Sequence, residues 1–207
     1  LTVPERLAHG YNCARQQGLR TKRHNSVRDA LADLLRNLFG PPRVAIEPQF
    51  GDRRPDISCI LPHGARYIDV SIANPGAEHI ALIAAEEDDA AANDRAREKR
   101  ALYQDALAVH GVQPDAFVPF VLETTGRLGP DAKRFLDEVR RAAAHAFPNR
   151  NTELTVNFYT DRIKKLLLDG TAAVMRAAWD SMVPLQVEPE IPAPALALGG
   201  TGASGDE

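Results

Sequence analysis

The chain has 207 residues, 44% of them hydrophobic, and a formal net charge of −3. This length and composition predict a single catalytic-sized domain with a buried core, and the acidic balance excludes binding to nucleic acid through bulk positive charge. Cys13 and Cys59 are too few for a disulfide framework and no apolar run is long enough for a membrane span, so we expect an intracellular protein without a membrane partner.

The N-terminal part is locally basic. Residues 9 to 28 contain no acid and include Arg15, Arg20, Lys22, Arg23 and Arg28. Such a run is typical of a surface that binds a phosphate backbone, because Coulombic contacts dominate nucleic-acid affinity. A solvated segment that leads into a helix is an equally open interpretation.

Apolar residues at helical spacing begin after this run. Val27, Leu31, Leu34 and Leu38 predict a helix from Ser26 that stops at Gly40-Pro41-Pro42. Asn25 or Ser26 would then be its N-cap, which explains His24 and Asn25 without a function. In the alternative interpretation, Arg23, His24, Asn25 and Asp29 lie at the helix start beside an active site.

Two acid-bearing segments follow a short strand that we predict at Val44–Phe50, with an edge or a bend at Pro48. Asp56 to Leu61 and Tyr67 to Ile72 flank a turn-rich cluster at 62 to 65, which predicts an antiparallel hairpin. Alternation puts Ile68, Val70 and Ile72 on one face and Tyr67, Asp69 and Ser71 on the other. Asp56 and Asp69 should lie together at the end away from the turn. Paired carboxylates favour a hard divalent cation between them, unless these acids are ordinary surface residues.

A charge-dense helix is predicted at residues 86 to 110, with Glu86 to Asp89 on its N-terminal side. Lys99 shares helical register with Leu102, Tyr103, Ala106 and Leu107, on the side expected to face the core. A lysine there needs a carboxylate, a phosphate or a route to solvent. Asp56 and Asp69 could receive it.

The rest of the chain alternates between strand and helix signals. Phe117 to Leu122 predicts a strand at an edge or bulge because of Pro119, and Ala132 to Ala146 predicts an amphipathic helix. Residues 151–182 form a helical extension, as one helix or as two that meet at Gly170. Residues 183–207 are rich in Pro, Ala and Gly, and we expect them to be disordered.

Three stretches then resemble a known family. These are Arg23-His24-Asn25 at a helix start, Arg54-Pro55-Asp56 followed by Asp69, and Lys99 four residues before Tyr103. In this order they resemble the PD-(D/E)XK nuclease superfamily, and in particular the restriction-like endonuclease domain at the C-terminus of non-LTR retrotransposon polyproteins. The resemblance covers about residues 9–147. It implies an α/β restriction-endonuclease-like domain at 23–150, with a small mixed sheet flanked by helices.

The resemblance also implies roles for individual residues. Asp56 and Asp69 match the metal ligands of the family, which bind Mg²⁺ or Mn²⁺. Ser71 stands where the superfamily lysine is expected, whereas Lys99 with Tyr103 matches the lysine position of the retrotransposon branch. Leu102 stands where that branch often has a second lysine.

The implied function is metal-dependent endonucleolytic cleavage of DNA, of the kind that nicks target DNA for retrotransposon integration. Asp56, Asp69 and Lys99 would be catalytic, and the residues expected to contact DNA are Arg20, Lys22, Arg23, His24 and Arg28. The accessory candidates are Asn25, Asp29, Ser71 and Tyr103. An upstream reverse transcriptase, the element RNA and a nuclear location would accompany this function. The alternative is a catalytically inactive nuclease-like fold that binds DNA or a protein.

His9-Gly-Tyr-Asn-Cys13 resembles the end of the zinc-knuckle-like segment that precedes the endonuclease in these polyproteins. A structural zinc site needs four ligands, and this segment supplies two. We therefore interpret residues 1–22 as a basic remnant of that region and do not expect Zn²⁺ binding.

Overall fold

The computed structural model describes residues 16–182 of the chain. They form an α/β fold in which helices flank a four-stranded mixed sheet and a long helix ends the described part, so the predicted fold class is confirmed. The expectations for His9 and Cys13 and for the tail at 183–207 concern residues outside this range. None of the helices at 16–182 combines the length and the hydropathy that a membrane crossing requires.

The helices, in chain order, are α1 (Gln17–Phe39), α2 (Ala81–Glu86), α3 (Ala90–Val109), α4 (Pro130–Ala146) and α5 (Thr152–Met182). The strands are β1 (Val44–Ile46), β2 (Ile57–Leu61), β3 (Gly64–Ala73) and β4 (Phe117–Glu123). Short 3₁₀ turns at Pro41–Arg43 and Pro114–Ala116 lead into β1 and β4.

The sheet has the order β1-β2-β3-β4. Strands β2 and β3 form the predicted antiparallel hairpin, in which Ile57 faces Ile68 and Leu61 faces Gly64. Strand β4 runs parallel to β3, a geometry that needs a long crossover, and α2 and α3 provide it. As expected from Pro119, β4 is an edge strand, where a residue without a backbone N–H is tolerated.

Strand β1 is shorter than predicted. It ends at Ile46, because Glu47 has a φ of +48° and so leaves the extended region. Phe50 instead forms an isolated antiparallel bridge with Arg53 across a turn at Gly51. Pro48 therefore lies just beyond the strand that forms the other sheet edge.

The helix predicted at 86–110 begins later, at Ala90. Asp89 has a φ of +62°, a left-handed conformation that an α-helix cannot include, and it separates α3 from the short helix α2. The sequence pattern did not predict α2. Glu86 is the last residue of that helix and does not contribute to the first turn of α3.

Helix α1 begins at Gln17, well before the predicted start at Ser26. Asn25 and Ser26 are therefore interior helical residues, and their predicted N-cap role is wrong. The Ser26 hydroxyl donates instead to the carbonyl of Lys22 at 2.9 Å. The clear apolar periodicity starts only at Val27, although the Gln, Arg and Lys residues before it are good helix formers.

The two faces of the sheet are packed by different helices. The main core lies between one face and helices α1, α4 and α5, and it includes Ile68, Val70 and the free Cys59, whose thiol pKa burial raises to about 12. The other face packs against α3 through an aromatic cluster that contains Tyr103 and Phe117. The alternation predicted for β3 is therefore confirmed, and Asp69 lies on the α3 side.

Helix α5 is continuous and packs along α1. Val156, Ile163 and Leu167 of α5 are fully buried in the main core. Gly170, predicted as a weak point in the helix, lies against Arg23 of α1. A Cβ at this position would lie 2.6 Å from Arg23 Cγ and 2.8 Å from Arg23 Cβ. The missing side chain of Gly170 therefore allows the two helices to pack at this distance.

We expect Gly170→Ala to destabilise the protein. Alanine favours the helix by up to about 1 kcal/mol, but overpacking against the base of a buried side chain costs about 1–3 kcal/mol. The net effect should be a lower free energy of unfolding, measured by urea denaturation followed by circular dichroism.

Gly18→Ala in α1 is the matched control, since a Cβ at Gly18 meets no heavy atom within 4 Å. This variant should be as stable as the wild type or slightly more stable. A Gly170→Ala protein that matches Gly18→Ala would show that the close approach of α5 to α1 does not need glycine.

Candidate functional site

The hairpin brings Asp56 and Asp69 to the same end, away from its turn. Asp56 immediately precedes β2, and the pairing of Ile57 with Ile68 puts Asp69 next in register on β3. The Asp56 side chain is bound to the neighbouring strand, because its Oδ2 accepts a hydrogen bond from the Val70 N–H at 2.7 Å. The predicted juxtaposition of the two acids is therefore present.

Asp69 is buried, with 5% of its surface exposed, and its carboxylate is surrounded by donors. Its Oδ1 lies 2.8 Å from Lys99 Nζ and 3.3 Å from Ser71 Oγ, and its Oδ2 lies 2.9 Å from the Tyr103 hydroxyl. A buried carboxylate without such partners would cost several kcal/mol. Three donors from β3 and α3 offset that cost here.

Lys99 reaches the hairpin from α3. Its side chain is 17% exposed and its Nζ forms an ion pair with Asp69 but none with Asp56. The predicted stripe around it needs one correction, because Leu102 is 43% exposed. Ala96, Tyr103, Ala106 and Leu107 define the buried side of α3, and the 100° rotation per residue puts Leu102 about 100° away from Tyr103.

Tyr103 connects the two acid-bearing segments. Its hydroxyl lies 2.9 Å from Asp69 Oδ2 and 3.0 Å from the carbonyl oxygen of Arg54, and its ring stacks on Phe117 with 4.4 Å between centroids. Burial, followed by the negative charge of Asp69, raises the pKa of the Tyr103 hydroxyl above its usual range. The hydroxyl therefore stays protonated and acts as a donor.

Helix α1 adds His24 and Asn25 to the site. His24 Nε2 lies 3.0 Å from the Val70 carbonyl oxygen and 3.3 Å from Asp56 Oδ2, while Nδ1 lies 3.3 Å from Asn25 Oδ1. The hydrogen bond to Asp56 is the main cause that raises the pKa of His24, and desolvation opposes it. Because both residues lie inside the helix, neither caps it.

The basic residues of α1 differ in what they contact. Lys22 is exposed, and Arg20 donates to Gln17 at 2.9 Å on the surface. Arg23 was predicted to contact DNA, but it is only 8% exposed and donates to Thr171 of α5 at 3.1 Å. Its position in the interface between α1 and α5 makes it a packing residue.

Arg28 is also engaged. Its side chain is 11% exposed and forms ion pairs with Asp29 at 2.9 Å and with Glu47 at 2.5 Å. Asp29 itself is exposed and pairs only with Arg28 among the described residues, whereas Arg28 joins α1 to the residue after β1. Arg28 makes no ion pair with Asp56 or Asp69.

Two cationic residues next to Asp56 were not among the residues expected to contact DNA. Arg53 and Arg54 precede Pro55-Asp56, and their side chains are 41% and 60% exposed, with only long ion pairs of 3.6 Å to Asp52 and Glu47. Their proximity to the acid in the sequence was the available signal. They add positive charge to the rim of a site that contains two carboxylates.

The atoms of the site that could bind a metal ion are carboxylate and carbonyl oxygens. Oδ1 of Asp56 accepts no hydrogen bond from any residue between 16 and 182, and Oδ2 of Asp69 accepts one. No group of three or more His, Cys, Asp or Glu side chains in the described residues is arranged to hold a metal. Within residues 16–182, this site could therefore hold a cation through its two carboxylates, with other ligands from water or from a substrate.

No protein-family model matches this chain, and no curated protein matches it.

We expect Tyr103→Phe to lower the free energy of unfolding by about 1–3 kcal/mol, because it removes a buried hydrogen bond to a charged acceptor. The phenylalanine ring should keep its contact with Phe117, so the fold should remain. Urea denaturation of both proteins measures the change.

Tyr159→Phe is the control, since the Tyr159 hydroxyl donates to no described residue. Its unfolding free energy should stay within experimental error of the wild type. Equal effects of the two substitutions would argue against a specific bond between Tyr103 and Asp69.

Proposed function

We propose that this protein is a divalent-metal-dependent endonuclease that hydrolyses phosphodiester bonds in DNA. The observation that supports it most is the 2.8 Å contact between Lys99 Nζ and Asp69 Oδ1, with Asp56 beside Asp69 on the neighbouring segment. Two acids and a lysine in one cluster are what the resemblance to PD-(D/E)XK nucleases implies. Here they come from the hairpin and from a helix that follows it.

The donor set fits a hard cation. Asp56 keeps Oδ1 open, and a Mg²⁺ site commonly uses one or two carboxylates and takes its other ligands from water and phosphate. Asp56 and Asp69 would therefore hold Mg²⁺ or Mn²⁺. When bound, the cation would act as a Lewis acid on the scissile phosphate and would lower the pKa of a water molecule bound to it.

Lys99 would act in two ways. Its ammonium group offsets the negative charge of the buried Asp69, and it offers N–H donors to the charge that develops on phosphate in the transition state. Tyr103 and Ser71 hold the Asp69 carboxylate in one orientation. The site is thus preorganised before substrate binds.

DNA would approach along a rim of cationic residues. Lys22 and Arg54 are exposed, and Arg20 and Arg53 are partly exposed; all four could reach backbone phosphates. Arg23 and Arg28 are left out of this surface because they are bound within the protein. By the same family resemblance, the reaction would nick target DNA in the nucleus, with a reverse transcriptase and its element RNA as partners.

A second candidate is an inactive nuclease-like fold that binds DNA or a protein. It is favoured by the state of Asp69, whose two oxygens are both engaged by the chain's own donors Lys99, Ser71 and Tyr103. Such an arrangement is stable without a cation. The two candidate functions imply the same fold, and they differ in whether the protein cleaves DNA.

We expect the full chain to nick supercoiled plasmid in Mg²⁺ or Mn²⁺ and not in EDTA. Asp56→Ala, Asp69→Ala and Lys99→Met should each lower the rate by more than about 100-fold, since loss of a residue outside the ligand set already costs about 10- to 100-fold. Gel electrophoresis of plasmid forms over time measures the rate.

Asp105→Asn is the matched control, an exposed acid on the same helix as Lys99. It should cut as fast as the wild type. Equal cutting by the wild type and Asp69→Ala would point to a contaminating nuclease. A wild type that binds DNA but never cuts would favour the inactive binding module.

We also expect Lys22→Gln and Arg54→Gln to weaken DNA binding without sequence preference. Each should reduce the steepness of the plot of log affinity against log salt by about 1, because each removes one phosphate contact. Fluorescence anisotropy of a labelled duplex at several salt concentrations measures both quantities.

Arg141→Gln is the control for charge. Arg141 is exposed and lines a surface cavity with Pro62 and His63, at the turn end of the hairpin, opposite Asp56 and Asp69. The DNA affinity of the Arg141→Gln variant, and the salt dependence of that affinity, should match those of the wild type. If all three variants lose affinity equally, DNA binding is a property of net charge and not of the proposed rim.

A further inference from the structure

The Asp56 carboxylate is held asymmetrically. Its Oδ2 has two neighbours that can donate, the Val70 N–H at 2.7 Å and His24 Nε2 at 3.3 Å. Its Oδ1 accepts no hydrogen bond within residues 16–182. Two donors on one oxygen set the rotation of the carboxylate and leave the other oxygen available.

His24 is also bound to the strand that holds Asp69. Its Nε2 lies 3.0 Å from the carbonyl oxygen of Val70, the residue between Asp69 and Ser71. Both neighbours of Nε2 are acceptors, so this nitrogen bears a proton and donates. The Nε2–H of His24 therefore donates to the Val70 carbonyl of β3 and lies 3.3 Å from the acid that precedes β2.

The other ring nitrogen faces the next residue of α1. Nδ1 lies 3.3 Å from Asn25 Oδ1, and the His24 side chain keeps 30% of its surface exposed at the edge of the site. The packing of α1 does not depend on this ring, because Val27, Leu31 and Leu34 are fully buried in the main core. His24 therefore has a specific polar environment at the edge of the site, outside the apolar core.

We propose that His24 is a positioning residue, which orients Asp56 so that Oδ1 is presented to a divalent cation. This inference rests on the proposed function, since it concerns the same cation. It differs from a DNA-contact role for His24, because the imidazole acts through Asp56 and Val70. Loss of a group that holds a ligating carboxylate commonly lowers metal affinity by about 10- to 100-fold.

The test is Mn²⁺ binding to the full chain without DNA, measured by electron paramagnetic resonance of free Mn²⁺. His24→Ala should weaken binding by about 10- to 100-fold. His24→Gln should restore most of the affinity, since the amide nitrogen of Gln can donate where Nε2 does. His79→Ala is the control, because His79 is 68% exposed and pairs with Asp94, outside the acid cluster.

Urea denaturation of each protein without metal accompanies the binding measurement. If His24→Ala lowers stability as well, the comparison of His24→Gln with the wild type decides, and a stable His24→Gln protein with the affinity of His24→Ala overturns the proposal. Equal Mn²⁺ affinity of the wild type and His24→Ala overturns it too, while leaving the nuclease proposal intact. A wild type with no Mn²⁺ affinity contradicts both.

Discussion

The site depends on the ion pair between Lys99 and Asp69. A carboxylate that is 5% exposed is costly to bury unless donors replace the water that it lost. Lys99, Tyr103 and Ser71 provide them, and two of the three come from α3. The packing of α3 on the sheet is therefore coupled to the contacts of Asp69 with Lys99 and Tyr103. Loss of Lys99 would leave a buried charge in the centre of the α3 face.

A second set of contacts holds Asp56 from the opposite side of the sheet. Helix α1 contributes His24, which contacts Asp56 and the Val70 carbonyl, and α1 is itself held by α5 through the close approach at Gly170. The two acids thus have different supports, one from each layer of helices. Both supports meet at β3, since the Val70 N–H beside Asp69 also binds Asp56, and they hold two like charges in one place, which a shared cation would stabilise.

Much of the hairpin and its acids could be predicted from the sequence, because period-2 alternation and a turn cluster determine strand faces and register directly. Lys99 was also predicted from a local pattern, because it shares the helical register of Tyr103, Ala106 and Leu107. Other features depend on tertiary contacts that no local pattern shows. The start of α1 lies outside its apolar periodicity, so Asn25 was wrongly taken as a cap. The burial of Arg23 requires Gly170, and the contact of His24 with Asp56 joins distant parts of the chain.

The central claim is that Asp56 and Asp69 share a divalent cation beside Lys99. A crystal structure of the full chain with Mn²⁺ and a short duplex, with anomalous scattering measured at the manganese absorption edge, tests it most directly. We expect an anomalous peak in coordination contact with Asp56 Oδ1 and an oxygen of Asp69. A well-ordered Asp69 that keeps its contacts with Lys99 and Tyr103, with no anomalous peak between the two acids, would contradict the account.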